Sequence, residues 1–161
     1  MKISYIKGVS FGLTSGIITT LGMIVGLQAG TNSRLAVIGG VLTIAIADAF
    51  SDSLGMHISE ESENKHTTKE IWESTIGTFA AKFIFAMTFL IPILLFSLSN
   101  AIWISIAWGL SWLGLISYWM AHDQKKPVSH AMCEHIGIAI VVILVTHYVG
   151  DFILATFGGV A

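Results

Sequence analysis

Charge is what this chain is shortest of. Asp, Glu, Lys and Arg make up only 11% of its residues, against about a quarter in an ordinary soluble domain. A chain so poor in charge, and 54% hydrophobic, lacks the polar residues to clothe a water-soluble globule, so it is expected to be integral to a membrane. Cysteine is almost absent as well. Cys133 stands alone, which excludes an internal disulfide and any CxxC pair. No block of basic residues offers a surface for nucleic acid. Nucleophile elbow, phosphate loop and HExxH zinc motif are all missing, so no enzymatic activity is expected.

Long hydrophobic runs, by contrast, are plentiful. Five can be read, at about 8–27, 35–58, 74–96, 101–121 and 131–157, each of the length needed to cross a bilayer as a helix. The first exceeds the apolar core of a cleaved signal peptide. None alternates as a strand would, which predicts an all-α, multi-pass membrane protein: one five-helix domain over 1–161. Whether its membrane is that of the cell or of an organelle is left open. Lys2, Lys7, Lys65, Lys69, Lys125 and Lys126 fall on one side of this arrangement and Arg34 alone on the other. The positive-inside rule therefore predicts a cytoplasmic N-terminus and an outside or luminal C-terminus.

The second run is the unusual one. Its later part, AIADAFSDSLGMHISEESE from Ala45 to Glu63, places Asp48 and Asp52 inside an apolar helix and ends in glutamates. A carboxylate at the centre of a membrane helix costs about 2.5–3.5 kcal/mol on insertion scales, so two of them one turn apart mark a functional candidate. At about 100° per residue, Asp48, Asp52, Met56, Ser59 and Glu63 fall within roughly 80° of one another. This acidic stripe with one thioether predicts a cation path. Glu60 and Glu63 stand at its mouth, and Glu134, at a similar depth on the fifth run, is a further candidate. Carboxylates with a soft or borderline ligand suit divalent first-row metals, taken as substrate and not as a permanently bound cofactor.

Several features admit two readings each. Lys82, roughly 13 Å into the third run at about 1.5 Å per residue, either neutralises Asp48 or Asp52 or serves proton coupling. His135, and the His147–Asp151 pair one turn apart, are either proton relays or satisfied hydrogen-bonding groups. In the first run Gly8, Gly12 and Gly16, then Gly22, Gly26 and Gly30, recur every four residues. Such spacing lets two helix backbones approach closely, either within the chain or along a homodimer seam. Pro92 is expected to kink the third helix.

Together these residues resemble the vacuolar iron transporter family. FGLTSGIITTLGMIVGL, from Phe11 to Leu27, is similar to that family's first helix, and FSDSLGMHIS, from Phe50 to Ser59, to its SMAxGEYxS signature. The resemblance implies a homodimer packed along its first helices that exchanges ferrous or similar divalent ions for protons along a path lined by helices one and two. The family's first-helix aspartate falls on Ser15, its signature methionine on Asp52 and its signature glutamate on Met56. The stretch 59–73 is too short for the carboxylate-rich cytoplasmic domain of the plant-type members. Two functions are thus expected in competition. One is a divalent-metal transporter of the Fe²⁺/Mn²⁺ type. The other is a non-transporting scaffold or metal-sensing module in which Lys82 neutralises the intramembrane acids.

Overall fold

The computed structural model describes residues 3–158; Lys2, counted in the charge bias, lies outside the described residues. The chain is all-helical: α1 (Ile3–Thr31), α2 (Arg34–Ser62), α3 (Thr68–Thr88), α4 (Leu90–Leu95), α5 (Leu98–Asp123) and α6 (Val128–Phe157). Counting α3 with α4 as one span, five helices among the described residues are long and apolar enough to cross a membrane. Each begins ahead of the apolar run that marks it.

Local chemistry sets those ends. Asn32 takes φ 46° to turn the chain out of α1, a conformation asparagine tolerates better than most residues. Ser33 then caps α2, its hydroxyl accepting from the Ala36 N–H at 3.3 Å. Asn64, with φ 52°, performs the same turn after α2. A reciprocal capping box between Thr67 and Glu70 starts α3. The third span breaks at Phe89, between α3 and α4. Pro92 lacks the N–H that would bond to Thr88, and its ring crowds that carbonyl, so the helix interrupts one turn before the proline.

α1 is the central helix, packing on α2, α3, α5 and α6. Its glycines decide how. A Cβ on Gly8 or Gly12 would collide with the backbone of Ser74 or Thr78 on α3, and Thr78 Oγ1 donates to the Gly8 carbonyl at 3.1 Å. Gly16 lies beneath Lys82, whereas Gly22, Gly26 and Gly30 face Val142, Thr146 and Gly150 on α6. Of the two readings these glycines admit, the structure shows close packing within the chain. The missing side chains admit α3 and α6 of the same chain. Ile17, Leu21, Ile24, Val37, Val41, Phe89 and Leu113 close the core around α1. α2 and α6 remain the most open spans, only 22% and 11% buried over their apolar windows.

Candidate metal centre

α2 and its C-cap place two carboxylate pairs along the bundle, and a lysine from a different helix meets each. The deeper pair is Asp48 and Asp52. Lys82, from α3, is 1% exposed; its Nζ lies 2.6 Å from Asp48 Oδ2 and is also ion-paired with Asp52 Oδ2. Ser15 of α1 completes the group, accepting from Lys82 Nζ at 2.9 Å and donating to Asp52 Oδ2 at 2.6 Å. Of the two partners the sequence left open for Lys82, the structure has both. Its stem passes across α1 where Gly16 leaves room; a Cβ there would sit 3.1 Å from Lys82 Cγ.

The second pair, Glu60 and Glu63, lies at the lysine-rich end of the bundle. Glu60 is wholly buried. One of its oxygens is ion-paired with Lys7 of α1, and the other lies 3.4 Å from His66 Nε2. Glu63 approaches Lys7 at 3.4 Å and His66 at 3.5 Å. Lys7 beside it holds the Glu63 carboxyl below the usual carboxylate range, with a smaller contribution from His66. One donor atom from each of Glu60, Glu63 and His66 falls within 4.8 Å of the others, and among the described residues this is the group able to hold a metal ion. Two carboxylates with an imidazole form a mixed oxygen–nitrogen donor set suited to first-row transition metals.

Met56 lies between the two pairs, buried on the same face. Eight residues separate Asp52 from Glu60, about 12 Å of helix. The buried face of α2 carries Ala45, Ala49, Ser53, Met56 and Glu60, so the stripe read from sequence is displaced by about one position. Glu60, not Glu63, is the buried glutamate of the mouth, and Ser59 is exposed. Beyond Asp48, a groove between α1 and α2, lined by Thr19, Met23, Thr43 and Ser51, continues toward the opposite end.

Residues 6–74 match the model of the VIT family. Over that stretch the chain is similar to the VIT family. No curated protein matches the chain. The VIT stretch contains Ser15, Asp48, Asp52, Met56, Glu60, Glu63 and His66; Lys82, α5 and α6 lie beyond it. Association with the VIT family points to metal transport in general.

The remaining candidates do not converge on these two groups. Glu134 is exposed on α6, which packs on α1 and α5, and it is not part of the Glu60–Glu63–His66 group. His135 Nδ1 lies 2.7 Å from Ser117 Oγ, linking α6 to α5. His147 and Asp151 face each other at 3.5 Å, both about half exposed. His66 was legible only as one member of a polar loop. The left-handed turn at Asn64 folds it back onto Glu60, and the one sequence signal for this is the short Asn–Lys–His step after the glutamates.

Proposed function

We propose that this protein is a divalent-metal transporter, exchanging Fe²⁺, Mn²⁺ or a similar first-row ion for protons along α2, and that it works as a homodimer. The observation that carries the reading is the pair of carboxylate groups on one membrane helix. Glu60 and Glu63, with His66, stand at the lysine-rich end, Asp48 and Asp52 stand deeper, and the Met56 thioether lies between them. Carboxylates that take up a dication must be free of protons, so proton exchange accompanies binding. With the lysine-rich end in the cytoplasm, Glu60, Glu63 and His66 form the cytoplasmic mouth.

The dimer reading now rests on α2. Gly39, Thr43, Ala47, Ser51, Gly55 and Ser59 recur every four residues and are all exposed, and a Cβ on Gly39 or Gly55 would meet nothing within 4 Å. Beside this ridge, Asp48 and Asp52 keep 26% and 22% of their side-chain surface, an expensive exposure toward lipid. A second copy, packed two-fold through the same ridge, covers both.

The scaffold reading has one observation in its favour: Lys82 balances one of the two intramembrane acids through direct contact with both. Uptake separates the two. In proteoliposomes under a pH gradient, the wild type takes up Fe²⁺, Mn²⁺ or Co²⁺, and the Asp48→Asn, Asp52→Asn double variant does not. Equal uptake by both proteins sinks the proposed path, and no uptake by either favours the scaffold.

A further inference from the structure

The deeper carboxylate pair already holds a cation, and that cation is covalently attached to the protein. Lys82 Nζ contacts Asp48 Oδ2, Asp52 Oδ2 and Ser15 Oγ together. A metal ion bridging the two aspartates requires those same carboxylate oxygens. Two carboxylates and one ammonium sum to −1. A dication added beside the ammonium would leave +1 in a low-dielectric site, whereas a dication in its place leaves zero. Like charges a few ångströms apart in such a site repel far more strongly than they would in water. The ammonium and the metal therefore exclude each other.

Resting on the transport reading of Asp48 and Asp52, we propose that Lys82 is a tethered cation. It fills the carboxylate pair when metal is absent and is displaced when metal binds. Each dication that passes exchanges places with the lysine head group. The lysine also sets specificity by charge. A monovalent ion that replaces the ammonium restores only the charge it removes, whereas a dication adds one more, so the pair selects for charge two.

Opposite responses to two substitutions test this. Mn²⁺ binding is measured by calorimetry on the full-length protein in nanodiscs. The Mn²⁺ that the Asp48→Asn, Asp52→Asn protein no longer binds defines the deep site. Lys82→Gln removes the competitor and is expected to tighten that site tenfold or more. Lys82→Arg substitutes a forked cation that grips both carboxylates, and is expected to weaken it tenfold or more. A lysine that acts only as a strut predicts the reverse order, with arginine close to wild type and glutamine weakened, and that order overturns the proposal. Should Lys82→Gln fail to fold, Lys82→Arg alone decides: weaker binding supports exchange, and wild-type or tighter binding overturns it. If the double aspartate variant binds as much Mn²⁺ as wild type, the metal reading itself fails and the tethered cation with it.

Discussion

Gly12→Ala places a single methyl group where α1 and α3 touch. The new Cβ would lie 3.0 Å from Thr78 Cα and closer still to the Thr78 carbonyl oxygen. That oxygen is backbone within a helix, so it cannot swing aside as a side chain would. Relief requires α1 and α3 to separate by several tenths of an ångström along a seam that also carries the Thr78–Gly8 hydrogen bond. Overpacking of this kind costs about 1–3 kcal/mol. For a chain of this length each kcal/mol moves the melting temperature by about 2–4 °C, so a loss of about 4–8 °C is expected at the middle of that range. The internal control is Gly137→Ala on α6, where a Cβ meets nothing within 4 Å and helix propensity favours alanine. Thermal unfolding in detergent, followed by helical circular dichroism, compares the two. If Gly12→Ala melts with the wild type, or if Gly137→Ala loses as much as Gly12→Ala, the α1–α3 contact does not set the stability as argued.

Two further outcomes follow from the geometry. Glu63 has its folded-state carboxyl depressed below the ordinary 4.5 by Lys7; its contribution to stability is fully present above that value and is lost as the pH falls through the depressed one. Lys7→Met removes the cause, so stability above the ordinary value should fall and the further loss on acidification through the depressed one should shrink; an unchanged curve would show that the pair contributes nothing. Gly55→Leu fits the open space beside α2 of one chain but blocks a partner's helix from approaching the ridge. Size-exclusion chromatography with light scattering in detergent should show monomer for Gly55→Leu and dimer for wild type, and a variant that remains dimeric removes α2 as the interface.

The helices were legible because membrane-length apolar runs admit few alternatives. What the sequence could not disclose was which neighbour each helix face meets. Four-residue glycine spacing announces close approach, yet it reads identically whether the partner is α3, α6 or another chain. Depth along a helix placed Glu134 level with Asp52, but depth carries no information about azimuth, and α6 packs on α1 and α5. The acidic stripe was recognisable at Asp48 and Asp52 and slipped by one position toward its mouth, where Glu60 turns inward and Glu63 outward. His66 joins Glu60 only through the turn at Asn64, a backbone event that no side-chain pattern on α2 encodes. The break at Phe89 was foreshadowed by Pro92, since the missing N–H acts on the preceding turn.

The contact between Asp52 and Lys82, thirty residues apart, also bears on how the chain enters its bilayer. When α2 leaves the ribosome it carries two mid-helix carboxylates, together about 5–7 kcal/mol against insertion if both stay charged and alone. The ammonium that relieves them follows thirty residues later, on the next helix. Neither α2 nor α3 is electrically comfortable in lipid by itself, and the hairpin they form is. The short polar link between them, 63–67, keeps the two helices within reach during synthesis, so the pair is expected to move from the translocation channel into the membrane as one unit. A truncation after α2 should accordingly remain accessible from water until α3 is restored.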